Sequence, residues 1–126
     1  MWKKDEEKAM ANKFNYRIKH VGINTNSVEE SHDLAEKLVN DFGLEGITEK
    51  PTANFAGEIF EVMKHSNIGT HGHIAIQTDD VEGAMQDLID KGYTVREESI
   101  RRHENGKIHF VYFNEQLGGF CFHLTE

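Results

Sequence analysis

Apolar positions change period along the chain. In HVGIN, residues 20–24, they alternate, with Val21 and Ile23 on one face and His20, Gly22 and Asn24 on the other. That is the two-residue period of a strand. From 28 to 42 the period lengthens, and Val28, Leu34, Ala35, Leu38, Val39 and Phe42 fall at helical spacing. Ser27 with Glu30 three residues on reads as a capping box, and Gly43 as the helix stop. Three short extended runs follow, Ile47–Lys50, Ala53–Gly57 and Glu58–Lys64. A second alternating strand, HIAIQ, begins at His73, with Ile74 and Ile76 facing the core and His71, His73, Ala75 and Gln77 facing away. A second helix spans roughly 80–91, with Val81, Ala84, Met85, Leu88 and Ile89 on one stripe. Asp79 or Asp80 caps it and Gly92 ends it. Tyr93–Arg102, Lys107–Asn114 and Phe120–Glu126 then read as strands, and Asn105-Gly106 predicts a hairpin with a type I′ turn.

The two halves repeat. HVGINTNSVE at 20–29 and HIAIQTDDVE at 73–82 match at a constant offset of 53. The boundary falls in Ser66–Thr70. The pattern predicts an α+β fold in which two β-α-β-β-β modules, 17–65 and 71–126, form a curved, mostly antiparallel sheet with a cleft. Each module alone would leave an apolar sheet face bare, so both belong to one domain, 14–126. Residues 1–13 form a charged N-terminal extension, helical or disordered, in which Trp2 and Met10 are placed to pack on a partner subunit.

Composition narrows the function. A chain of 126 residues buries a core without staples. One cysteine, Cys121, no apolar leader and no membrane-length apolar run predict a cytoplasmic protein without membrane association. A net charge of −8 repels a phosphate backbone and argues against nucleic acid. No phosphate-binding glycine loop and no nucleophile motif is present.

Eight histidines stand out, and strand alternation places some of them together. In EIFEVMK, Phe60 and Val62 suit the core, leaving Ile59, Glu61 and Met63 opposite. In FCFHLTE, Phe120, Phe122 and Leu124 suit the core, leaving Cys121, His123 and Thr125 opposite. Two repeat-related pairs emerge on the non-core face: His20 with His73, and Glu61 with His123. Imidazole and carboxylate donors predict one divalent transition metal, Zn, Ni, Mn or Fe. His71 shares the face of His73 and is a candidate acid-base group. Around the predicted hairpin, Ser99, Arg101, Phe110 and Tyr112 share one face, and Ile100, Arg102, His109 and Val111 the other. Which one lines the cleft the pattern leaves open. If the first does, Arg101 holds a carboxylate or phosphate, and Tyr112 binds substrate or takes part in proton transfer.

The doubled module, with HVGI and HIAI strands and ligand-type residues ending each half, resembles the vicinal oxygen chelate superfamily. That superfamily includes glyoxalase I, extradiol dioxygenases, methylmalonyl-CoA epimerase and the fosfomycin and bleomycin resistance proteins. The likeness spans 17–126. HVGIN, FEVMK, THGHIAIQTDDVE and GGFCFHL more narrowly resemble the glyoxalase-like domain associated with 2-keto-3-deoxy-6-phosphogluconate aldolase. The resemblance implies a glyoxalase-like fold, metal ligands at His20, Glu61, His73 and His123, and a homodimer. It also implies a metal-dependent isomerase or lyase that chelates two neighbouring oxygens of a small, anionic oxo- or hydroxy-acid. Alternatives are a non-catalytic module that binds or sequesters a small molecule, and a non-haem iron dioxygenase. At 123 this chain has histidine where glyoxalase I has a glutamate that takes part in proton transfer, which speaks against glyoxalase activity but not against metal binding.

Overall fold

A computed structural model describes residues 13–126; the proposed packing of Trp2 and Met10 falls outside the described residues. The order is β1 (Arg17–Ile23), α1 (Val28–Phe42), β2 (Ile47–Glu49), β3 (Ala53–Ala56), β4 (Phe60–Met63), β5 (Gly72–Gln77) and α2 (Val81–Asp90). A 3₁₀ turn (Glu97–Ser99), β6 (Arg101–Arg102), β7 (Ile108–Leu117) and β8 (Phe120–Thr125) complete it. Among the described residues, two helices and one eight-stranded mixed sheet make an α+β fold. The strand order is β2-β3-β4-β1-β5-β8-β7-β6. The halves join through antiparallel β1 and β5, and each half holds one parallel pair, β1 with β4 and β5 with β8.

Both helices begin and end where local chemistry dictates. The Ser27 hydroxyl accepts from Glu30 N–H, and Gly43 takes the left-handed conformation (φ 68°) that lets its N–H close on Val39. Of the two candidate caps on α2, Asp80 is the one used, its carboxylate accepting from Gly83 N–H.

Each helix covers its own module's outer strands, which splits the core in two. Under α1, Ala35, Ala56 and Val62 are buried with Leu34, Leu38 and Phe60 around them. Under α2, Val81, Ala84, Ile108, Val111, Phe113 and Leu124 form the second cluster. Among the described residues no helix covers β1, and of β5 only Ile76 joins the cluster under α2. Val21, Ile23 and Ile74 therefore occupy the non-site face as expected but are not under a helix, and each is only half-buried. Val28 and Phe42, at the two ends of the α1 stripe, are exposed as well.

The second-half strands depart from expectation at two places. Tyr93–Arg102 is not one strand. The Ser99 hydroxyl donates to the Arg96 carbonyl and accepts from Tyr112 N–H, folding Glu97–Ser99 into a 3₁₀ turn and leaving β6 two residues long. The hairpin at Asn105-Gly106 forms without a type I′ turn. Only Gly106 has positive φ (89°), and a longer loop closes through His103 N–H to Lys107 and Gly106 N–H to His103.

Candidate metal centre

Strand register builds the site. Residues paired across neighbouring strands share a face. One transverse row reads Phe55, Glu61, Gly22, His73, Cys121 across β3, β4, β1, β5 and β8. The adjacent row reads His20, Ala75, His123, Tyr112 across β1, β5, β8 and β7. All four sequence-predicted ligands thus stand on one face of four consecutive strands. A small residue separates the outer two in each row: Gly22 between Glu61 and His73, Ala75 between His20 and His123. A bulge at Lys19 shifts the β1 register just before His20.

The donor atoms converge. His20 Nε2 lies 3.2 Å from His73 Nε2. Glu61 Oε1 is 2.9 Å from His73 Nε2 and 3.6 Å from His20 Nε2. Donor atoms of His20, His73 and His123 all lie within 4.8 Å of one another. Donors about 2.0–2.2 Å from one shared cation are separated by roughly 3–3.5 Å when they occupy adjacent positions, so the spacing of His20, Glu61 and His73 fits a common ion. His73 and His123 are 4% exposed, while the side chains of His20 and Glu61 are 19% and 20% exposed, so the cluster opens to solvent on their side. The Nδ1 atoms of His73 and His123 are buried without a hydrogen-bond partner among the described residues.

Electrostatics favour the ligand-competent forms. Burial, reinforced by the neighbouring His73 and His20, pushes His123 down to about 3. Burial also lowers His20, more than Glu61 opposes it. At Glu61 burial pulls upward, but the hydrogen bond from His73 and the charges of His20, His73 and His123 outweigh it, and the carboxyl sits below its ordinary value. Neutral imidazoles at His20 and His123 beside an ionised Glu61 suit a divalent cation.

The other candidates divide. Tyr112 stands beside His123 (ring centroids 4.7 Å apart), and burial, with the Glu61 charge second, raises its phenol well above the ordinary value. It is therefore a neutral hydrogen-bond donor at physiological pH. Register also resolves the open question of the hairpin: Phe110 pairs with Thr125 and Tyr112 with His123, so theirs is the site face. Arg101 pairs with Phe110, but its guanidinium donates to the carbonyls of Glu98 and Ile100 and remains exposed. His71 precedes β5, is exposed, and rests its ring against Gly119 instead of joining the cluster. An apolar cavity of about 220 Å³ beneath α2 is lined by Tyr16, Ile76, Leu88, Tyr93 and Phe122 and reaches His123. The flanking rings of Phe55, 6.1 Å from His20, and Phe110, 4.5 Å from His123, were not anticipated as a pair. Their signal was the alternation of β3 and β7. Gly22 was likewise placed on this face without a role.

Two β-α-β-β-β modules joined edge to edge, with ligand-type residues on the central strands, make up a glyoxalase-like fold. Solved structures bear this out. The hypothetical protein BH1468 from Bacillus halodurans C-125 superposes with a TM-score of 0.56 at 17% identity, over 86% of this chain and 92% of that one. A variant of Streptomyces coelicolor methylmalonyl-CoA epimerase in complex with 2-nitronate-propionyl-CoA gives 0.54 at 19% identity, over 86% and 92%. A methylmalonyl-CoA epimerase in complex with methylmalonyl-CoA and NH4+ gives 0.51 at 18% identity, over the same shares. No family model matches the sequence. Among the described residues no helix is long and apolar enough to cross a membrane.

Proposed function

We propose that the protein is a metal-dependent isomerase or lyase acting on a small anionic oxo- or hydroxy-acid. The observation that carries this reading is the convergence of the His20, His73 and His123 donors on one sheet face, with the Glu61 carboxylate 2.9 Å from His73. These four residues would hold one divalent transition metal. Bound there, the metal would supply Lewis acidity toward two neighbouring substrate oxygens and stabilise the enolate formed when an adjacent proton is removed. Tyr112, kept protonated, is placed to donate a hydrogen bond to a substrate oxygen. Phe55 and Phe110 flank the site, beside His20 and His123 respectively. The epimerase neighbours and the narrower resemblance to an aldolase-associated domain both support chemistry at a carbon beside a carbonyl. A cytoplasmic homodimer accords with the composition and the superfamily resemblance.

A module that holds metal and a small anion without turnover is the second reading. One observation favours it: among the described strand residues of the site face, Glu61 is the only carboxylate, and it already bonds His73. A non-haem iron dioxygenase fits less well, because a third imidazole takes a position that the two-His-one-carboxylate set leaves open.

The test is elemental analysis of protein purified without added metal, followed by loading with Zn, Ni, Mn or Fe(II). Solvent deuterium incorporation into a panel of small 2-oxo- and 2-hydroxy-acids is then measured. The expected result is one bound metal per chain and metal-dependent exchange, both lost in His73→Ala. His20→Ala should lose most of the metal, and Glu61→Ala and His123→Ala should weaken its binding. Metal without exchange favours the holding module. No metal after loading overturns both readings.

A further inference from the structure

The two halves of the site are related by the repeat, yet they are not equivalent. The operation that exchanges the modules carries His20 to His73 and Gly22 to Ala75, both at the offset of 53, and Glu61 to His123. The pairs His20–Ala75 and Gly22–His73 are thus counterparts in the β1–β5 ladder. They differ by one methyl group. A Cβ built on Gly22 would stand 2.0 Å from His73 Cε1, 2.3 Å from Nδ1 and 2.7 Å from Nε2. The imidazole of His73 therefore lies directly on the backbone of residue 22. The glycine serves no backbone purpose, since its φ is not positive and alanine would fit the strand as well. Ala75 keeps its methyl, fully buried, so no ring can lie on its Cα. The outcome is visible in exposure: the side chain of His73 is 5% accessible and that of His20 is 19%.

We infer that Gly22 is a positioning residue: the missing methyl at 22, and its presence at 75, decide which of two repeat-related histidines is sunk into the sheet and which stands at the open side of the site. His73 is fixed by contact with backbone and Glu61 and keeps one orientation. His20 stands at the solvent-exposed side of the cluster. The placement of His73 does not depend on the metal reading. Only its consequence for affinity does.

The test uses metal-free protein, acylated with diethyl pyrocarbonate and read histidine by histidine by peptide mass spectrometry, with Zn affinity measured separately by chelator competition. In wild type His20 should acylate faster than His73. Gly22→Ala should make His73 at least as reactive as His20. It should weaken Zn binding about 10- to 100-fold, the cost typical of losing support behind a ligand. Ala75→Gly removes atoms and cannot clash, so it remains informative if Gly22→Ala does not fold; it should slow His20 toward the His73 rate. Unchanged His73 reactivity in folded Gly22→Ala, or unchanged His20 reactivity in Ala75→Gly, overturns the inference. If wild type binds no Zn, the proposed function fails, and the reactivity arm still decides the seat.

Discussion

Burial of a neutral His123 has a measurable cost in acid. Its folded value is about 3, against 6.5 for the free group. Above pH 6.5 the imidazole is neutral in both folded and unfolded chains and contributes no pH dependence. Below 6.5 the unfolded chain takes up a proton that the folded chain refuses, so stability falls with pH until the folded group titrates near 3. At pH 5 the gap is about 1.5 pH units, which at about 1.4 kcal/mol per unit is a loss of about 2 kcal/mol relative to pH 7.5. His20, also lowered, acts in the same direction. Glu61, whose folded value is depressed, contributes stability above its unfolded value of 4.5 and loses it only as pH falls below that, outside this window. The assay is urea unfolding of chelator-treated protein at pH 7.5, 6 and 5, for wild type and His123→Gln. Wild type should lose about 2 kcal/mol or more between the extremes, and the variant about 2 kcal/mol less than wild type. Parallel profiles for the two proteins would refute the claim that His123 is held neutral by burial.

Ser31 on α1 donates to the Val62 carbonyl (2.7 Å) and accepts from the Asn54 amide (3.0 Å), both buried, so Ser31→Ala should cost about 1–3 kcal/mol in urea unfolding. Because Val62 follows Glu61, that variant should also bind metal less tightly, by a smaller factor than Glu61→Ala. Gly43→Ala places a side chain at φ 68° and should cost about 1 kcal/mol, with metal content unchanged. Tyr112→Phe should retain the metal and lower exchange activity about 100-fold, the scale of one lost oxyanion donor.

The sequence made the helices and the four convergent residues legible because each depended on local chemistry. Ser27, Gly43 and Asp80 act through bonds to residues three or four positions away, so the helix limits could be read almost to the residue. The site was legible because a strand's two-residue period sorts faces without knowledge of its neighbours. What alternation did not report was the partner each residue would find, distant or near. The fate of Tyr93–Arg102 was decided by the Ser99 hydroxyl meeting Tyr112 N–H thirteen positions away. Arg101 was read from its face alone, and nothing in the pattern revealed that two nearby carbonyls would hold its guanidinium. Val21, Ile23 and Ile74 were assigned to a helix-covered core because alternation reports a face, not what lies over it.

The same distinction explains why a symmetric sequence makes an asymmetric site. The repeat fixes which residues face the ligand positions in each half, and the antiparallel β1–β5 pair places the halves in register. Symmetric rows alone would give two equivalent histidines and two equivalent small residues. The chain breaks this equivalence at two positions: Gly22 against Ala75 sets how deep each histidine lies, and Glu61 against His123 sets which outer donor carries charge. The carboxylate sits in the row with the sunken histidine, 2.9 Å from it, while the neutral His123 shares its row with the more exposed His20. Negative charge and fixed geometry therefore fall on one side of the cluster, and neutral donors with the Tyr112 phenol on the other. An anionic substrate approaching this face meets least repulsion along the row of His123 and Tyr112, where a neutral hydroxyl can meet its oxygens.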